Sequence, residues 1–110
     1  MPGKFEIRSS SDSQFYFNLC AGSGEPILTS ETYWDKAGAR SGIESVKTHA
    51  PFDSSYERKS AANGEFYFVL RALNGRTIGR SETYRNWSGM ENGVESVKRN
   101  APGAAVSDLS

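Results

Sequence analysis

One cysteine, Cys20, and one histidine, His49, are all that the 110-residue chain holds of those two types. A single cysteine excludes an internal disulfide framework. One histidine beside one cysteine leaves little basis for a multi-histidine metal site or for histidine-dependent nucleophilic catalysis. Charge of one sign is also missing, since 13 lysines and arginines face 13 aspartates and glutamates. A balanced chain gives no electrostatic case for nucleic acid, membrane or acidic partners. No apolar run is long enough for a membrane-spanning helix. The opening Met-Pro-Gly-Lys-Phe-Glu lacks the basic-then-apolar order of a secretory signal. The expectation is a reduced, cytoplasmic protein without cofactor, metal or catalytic motif.

What the chain does have is an internal duplication. Residues 5–51 (copy one) align with 56–102 (copy two) at a constant offset of 51, with no gap and 21 identities in 47 positions. Phe15-Tyr16-Phe17 returns as Phe66-Tyr67-Phe68, and Ser30-Glu31-Thr32-Tyr33 returns as Ser81-Glu82-Thr83-Tyr84. Glu44-Ser45-Val46-Lys47 returns as Glu95-Ser96-Val97-Lys98, and Ala-Pro closes each copy. A unit of about 50 residues buries too little surface to stand alone, so two such units are expected to share one core. The chain is therefore read as a single domain, 1–110, of two repeats about a pseudo-two-fold axis, with 103–110 as a tail.

Each copy reads strand, strand, strand, helix. Phe5 to Arg8 and Tyr56 to Lys59 form short first strands, followed by polar turns. Phe15, Phe17 and Leu19 alternate with Tyr16 and Asn18, and the same period recurs at Phe66, Phe68 and Leu70. Gly22-Ser23-Gly24 and Asn74-Gly75 mark hairpin turns before third strands at Ile27 to Thr29 and Ile78 to Arg80. Trp87, Met90, Val94, Val97 and Ala101 recur at helical spacing, as do Ala39, Ile43, Val46 and Ala50. Pro51 and Pro102 stop these helices. The fold class is α+β: two β-β-β-α repeats in one antiparallel sheet of about six strands, with two helices packed on it.

Glycines four apart interrupt both helices, Gly38 and Gly42, then Gly89 and Gly93, each at a cost of about 1 kcal/mol against alanine. Two structural readings stand open. Either the two helices approach closely across the axis, or each helix breaks and restarts with a capping box at Ser41 to Glu44 and Asn92 to Glu95.

A function common to both copies should use residues present in both. The Ser-Glu-Thr-Tyr block is the leading candidate for a ligand or junction site: Ser30, Glu31 and Tyr33, with Ser81, Glu82 and Tyr84. It can serve as a pair of sites in which glutamates act as bases or ligands. It can equally serve as junction chemistry, with a hydroxyl capping the helix, an acid near the positive helix end and a tyrosine in the core. Glu44 with Lys47, and Glu95 with Lys98, have the spacing of solvated ion pairs. His49, replaced by Asn100 in copy two, is read as a cation at a helix C-terminus, and Cys20 as a small residue near a strand end. Residues 1–55 carry a net charge of −2 and 56–110 a net +2. Tyr16, Tyr67 and Arg71 are expected on the sheet face away from the helices, where aromatics beside arginines can stack single-stranded bases.

Phe-Tyr-Phe, an Asn-Gly turn, Ser-Glu-x-Tyr and Gly-Ile/Val-Glu-Ser-Val-Lys-x-x-Ala-Pro together resemble the YegP-like family of small bacterial proteins. The resemblance covers both copies and implies an α+β fold with the two units packed together, the counterpart of single units pairing as homodimers. It implies no activity and no catalytic residues. Copy one departs from the family pattern at Gly22-Ser23-Gly24-Glu25-Pro26, where Asn-Gly is favoured, and at Ser41, where Asn92 keeps the favoured residue. The tail from Ala104 to Leu109 either adds a short strand or stays disordered.

The leading functional reading is a monomeric, non-catalytic binding or interaction module. An enzyme with a site at the repeat seam, built from Glu31, Tyr33, Glu82 and Tyr84, is the alternative from another class. Weak single-stranded nucleic-acid binding through Tyr16, Tyr67 and Arg71 is a third.

Overall fold

Both Phe-x-Phe-x-Leu strands place their large residues on one face, and everything else in the fold follows from covering that face. The computed structural model describes residues 3–110. The strands are β1 (Lys4–Ser9), β2 (Phe15–Cys20), β3 (Pro26–Ser30), β4 (Tyr56–Ser60), β5 (Phe66–Arg71), β6 (Thr77–Arg80) and β7 (Ala105–Asp108); the helices are α1 (Lys36–His49) and α2 (Trp87–Asn100). They build one seven-stranded sheet in the order β4-β5-β6-β3-β2-β1-β7. The first six strands run antiparallel to their neighbours, but β7 joins β1 in parallel, pairing Phe5 with Val106 and Ile7 with Asp108. The expected all-antiparallel sheet is thus mixed, and the tail takes the ordered option.

The seam carries the symmetry. β3 pairs with β6 only at Thr29 with Arg80 and Ser30 with Gly79. Thr29 and Arg80 are each other's counterparts at the repeat offset of 51, so the pseudo-two-fold runs through that pair. Helix α1 lies over β1 and β2 and reaches β5 and β6, while α2 lies over β5 and reaches β3. Each helix therefore closes the partner copy as well as its own. The single core contains Phe5, Phe17, Leu19, Ile43 and Val46 from copy one and Phe68, Leu70, Met90, Val94 and Val97 from copy two, all fully buried. The chain folds as a compact globule with a radius of gyration of 13.1 Å. No helix among the described residues is long and apolar enough to cross a membrane.

Both helices run unbroken through their glycines, and neither earlier explanation of those glycines holds. A side chain at Gly42 would collide with the Tyr33 hydroxyl and the Phe17 ring; at Gly93 it would meet the Tyr84 hydroxyl at 2.5 Å and Phe68 at 3.2 Å. The glycines make room for a tyrosine passing beneath the helix, in contact with the core at both positions. The stripe residue Trp87 is half exposed and packs edge-on against Phe66, with ring centroids 5.6 Å apart.

The two hairpins after β2 and β5 close alike despite different sequences. Gly24 (φ 92°) and Gly75 (φ 85°) take the same left-handed conformation, and each donates to the alanine carbonyl three residues earlier at 2.8 and 2.9 Å. In the preceding hairpins the corresponding position is Gly64 (φ 86°) in copy two but Ser13 (φ 67°) in copy one. A non-glycine residue there carries local strain.

The repeats also end differently at the sheet edges. On the β1 side, Ile7 is buried, and Asp108 of β7 reaches Lys36 at 3.2 Å and Arg40 at 3.5 Å on α1. In copy two these positions hold Arg58, Trp87 and Glu91, so the same docking chemistry is missing. Arg58 instead bridges Glu91 at 2.7 Å and Asp53 at 2.8 Å. A charged side chain held on an edge strand discourages pairing with another chain.

Candidate functional site

The Ser-Glu-Thr-Tyr block sits where β3 and β6 leave the sheet and return to it. Asn18 pairs with Thr29 and Phe15 with Tyr33, so four residue steps on one chain face three on the other. That is a bulge, and Glu31-Thr32 is the part pushed out. The buried serine repairs the ladder. Ser30 Oγ accepts from the Phe17 amide at 2.9 Å and donates to the Glu31 carbonyl at 2.7 Å. Ser81 does the same for Phe68 at 3.0 Å and Glu82 at 2.7 Å. Neither serine caps a helix. The caps are Asp35 and Asn86, accepting from the Gly38 and Gly89 amides at 2.7 and 2.8 Å, and neither first turn contains an acid.

Tyr33 lies parallel to Phe17, with centroids 6.2 Å apart and planes 13° from each other. Its ring packs on the core while its hydroxyl faces a cleft of about 940 Å³. Glu31, Trp34, Ser41 and Ser45 line one side of this cleft, and Asn74, Arg76 and Thr77 of the copy-two hairpin line the other. The Tyr33 hydroxyl, the Glu31 carboxylate and the Arg76 guanidinium have no hydrogen-bond or ion-pair partner among the described residues. Burial raises the Tyr33 phenol; Arg76 lowers it and Glu31 raises it, so both charges act at that hydroxyl. Trp34, 84% exposed, stands at the mouth, and Leu73 is 95% exposed at the tip of the facing hairpin.

The four residues of the proposed seam site do not meet in either cleft. Glu31 and Tyr33 line the large one. Glu82 lines a separate pocket of about 440 Å³ on the seam with Thr29, Ser30, Arg80 and Ser81, and Tyr84 lines neither. Burial raises the Tyr84 phenol, and Glu25 and Glu82 raise it further. The copy-two tyrosine therefore faces two acids where Tyr33 faces an acid and a cation.

The face away from the helices carries a row of Glu6, Asn18, Thr29, Arg80, Val69 and Glu57 across six strands. Both charge signs alternate on it. Arg80 stacks over the Tyr67 ring at 5.2 Å, and Arg71 is held by Glu57 at 2.6 Å, Thr77 at 3.0 Å and the Gly75 carbonyl at 3.2 Å. Tyr16 lies three strands away from Tyr67, about 14 Å by strand spacing. Tyr67 and Arg71, two of the three expected base contacts, are thus already engaged.

The remaining sequence candidates have structural places. Cys20 ends β2, buried, with its thiol pushed up by burial and Sγ 3.6 Å from Glu6. His49 sits at the C-terminal end of α1, as the sequence suggested, and there it also latches the copy-two hairpin. Nδ1 lies 2.8 Å from the Ser45 carbonyl, and Nε2 accepts from the Leu73 amide at 3.2 Å. Asn100 copies the first contact, donating to the Ser96 carbonyl at 2.8 Å. Lys98 pairs with Glu95 at 3.2 Å and with Asp53 at 3.0 Å, whereas Lys47 sits 5.9 Å over the Phe5 ring and forms no ion pair with Glu44. Among the described residues no three His, Cys, Asp or Glu side chains gather as metal ligands.

Trp34 and Arg76 were not singled out together by the sequence, because neither is repeated: their counterparts are Arg85 and Glu25. Only the fold brings the copy-two hairpin against the copy-one junction.

Residues 10–57 and 61–108 each match the domain of unknown function DUF1508. The chain belongs to this family, in tandem form. It is 50% identical over 108 residues to the UPF0339 protein YegP of Escherichia coli O157:H7, covering 98% of both chains. Identity to a UPF0339 protein of Pseudomonas aeruginosa is 48% over 110 residues, the whole of both. The solution structure of E. coli yegP, described as a protein of unknown function, superposes with a TM-score of 0.93 at 48% identity, covering 99% of this chain and 94% of that one. A UPF0339 protein of Shewanella oneidensis superposes at 0.92 with 44% identity, covering 99% and 92%. The family match begins after β1; its first unit ends two residues into β4, and its second ends with β7. β7 therefore lies within the second matched unit.

Proposed function

We propose that this protein is a non-catalytic binding module whose site is the cleft of copy one, between Tyr33-Trp34 and the hairpin bearing Arg76. The observation that carries this reading is the trio of unpartnered polar groups in that cleft, the Tyr33 hydroxyl, Glu31 and Arg76, beneath an exposed indole. Small-molecule sites combine a concave surface, an aromatic wall and a few polar groups that fix orientation. The repeated serines and tyrosines serve the bulge and the core, which leaves the seam enzyme without a recurring reactive set. The module acts as a single-domain, cytoplasmic monomer in this reading. Support for the monomer comes from the two edge strands: β7 is only four residues long, and β4 carries the charged Arg58.

The test is a fragment screen by amide chemical shifts, using small polar aromatics on the full chain. Shifts gathered at 31–35 and 72–78 are expected. Shifts gathered elsewhere, or none across the screen, would refute the cleft.

A further inference from the structure

The cleft contains two opposite charges that do not satisfy each other. Glu31 and Arg76 both act on the Tyr33 hydroxyl, yet they form no ion pair, so their N···O separation stays beyond 4.0 Å. A purely anionic ligand on Arg76 would meet repulsion from Glu31, and a purely cationic one on Glu31 would meet Arg76. A molecule bearing both charged groups on one carbon satisfies both. The apolar part of such a molecule has a place as well. Trp34 offers an exposed indole among the residues that line the cleft. Gly38 and Gly42, lacking side chains, keep the helix wall low over the Tyr33 ring. The glycines and the glutamate recur in copy two, but the indole and the cation do not, since Arg85 replaces Trp34 and Glu25 replaces Arg76.

We propose that the cleft binds a small α-amino acid zwitterion with an aromatic side chain. Its carboxylate lies on Arg76 and the Tyr33 hydroxyl, its ammonium group on Glu31 and its ring against Trp34. This assignment rests on the cleft being the binding site, and it narrows the ligand to one chemical class. Guanidinium–carboxylate and ammonium–carboxylate contacts are charge-assisted and directional, so each should matter separately.

The experiment is a titration of the full chain with L-phenylalanine, followed by amide shifts of Tyr33, Trp34, Ala72 and Arg76. Two single-charge analogues run beside it: 3-phenylpropionate, which lacks the amine, and 2-phenylethylamine, which lacks the carboxylate. L-Phenylalanine is expected to shift the cleft amides, with each analogue binding about tenfold more weakly or worse. Glu31→Gln and Arg76→Gln should each weaken L-phenylalanine by a similar factor, while the analogue lacking the corresponding charge should bind more tightly to the variant than to the parent, because the repulsion it met is gone. An analogue binding as tightly as L-phenylalanine at the cleft overturns the zwitterion and leaves the cleft standing. Shifts confined to another surface overturn both. No shift with L-phenylalanine up to about 20 mM, beyond the weak millimolar range, overturns the ligand class; the fragment screen then decides the cleft by itself.

Discussion

Tyr33 and Tyr84 occupy the same place in the two copies, under a helical glycine and over a core phenylalanine, yet they look out on different surroundings. Tyr33 faces Glu31 and Arg76 below an exposed tryptophan; Tyr84 faces Glu25 and Glu82. Shared residues build the frame, and unshared ones give each tyrosine its surroundings. The duplication thus separates two kinds of constraint within one chain. Ser30, Tyr33 and Gly42 answer to packing in both copies, whereas Trp34 and Arg76 answer to no structural demand that copy two also makes.

If the shared residues are structural, the two copies should suffer alike when they are changed. Ser30→Ala and Ser81→Ala each strip a buried amide, of Phe17 or Phe68, of its acceptor. Each should cost about 1–3 kcal/mol in chemical denaturation. A large cost in one copy alone would break the equivalence of the frames. Gly42→Ala and Gly93→Ala come next. Overpacking costs toward the upper end of about 1–3 kcal/mol, because the added Cβ would lie 2.7 and 2.8 Å from the tyrosine ring carbon in the two copies; helix propensity returns about 1, so net losses of about 1–2 kcal/mol are expected in thermal melts. A substituted protein as stable as the parent would contradict the packing role.

Ser13→Gly probes a difference between the copies. It gives copy one the glycine that copy two holds at Gly64 and should stabilise the chain by about 1 kcal/mol, because Ser13 sits at positive φ. The smallest effect concerns the edges. The Asp108 carboxyl is held down to about 2, first by the Ser110 hydroxyl and amide and then by Lys36. On the other edge, Asp53 is held at about 2, first by Arg58 and then by Lys98. A depressed carboxylate stabilises the fold above its ordinary value near 3.8, and that contribution is lost as pH falls toward about 2. Hydrogen exchange should therefore show β7 amides opening between about pH 4 and pH 2, with Asp108→Asn producing the same opening at neutral pH. Protection of β7 unchanged across that range would show that Asp108 does not hold the strand.

Most of the frame was legible in the sequence because periodicity and repetition report packing directly. The Phe-x-Phe-x-Leu strands, the Ala39-Ile43-Val46-Ala50 stripe and the Pro51 and Pro102 stops all declare themselves locally. Three features did not. The parallel pairing of β7 depends on an edge at the far end of the chain, and on Asp108 finding Lys36 and Arg40. The helical glycines suggested backbone contact or a helix break, since no local pattern shows a tyrosine arriving from nine residues upstream. The candidate site was read through the repeat, which favours Glu31, Tyr33, Glu82 and Tyr84 and passes over Trp34 and Arg76. A site formed where copies differ is invisible to a filter that keeps only what they share.

The most direct test gives the copy-one cleft the residues of copy two, with Trp34→Arg and Arg76→Glu in one protein. Both side chains are exposed and outside the core, so the melting temperature should stay within about 2 °C of the parent. Binding of L-phenylalanine at the cleft amides should fall at least tenfold, as the cation and the indole are both removed. Unchanged binding in a fully folded double variant would show that the difference between the surroundings of Tyr33 and Tyr84 is not what makes the site.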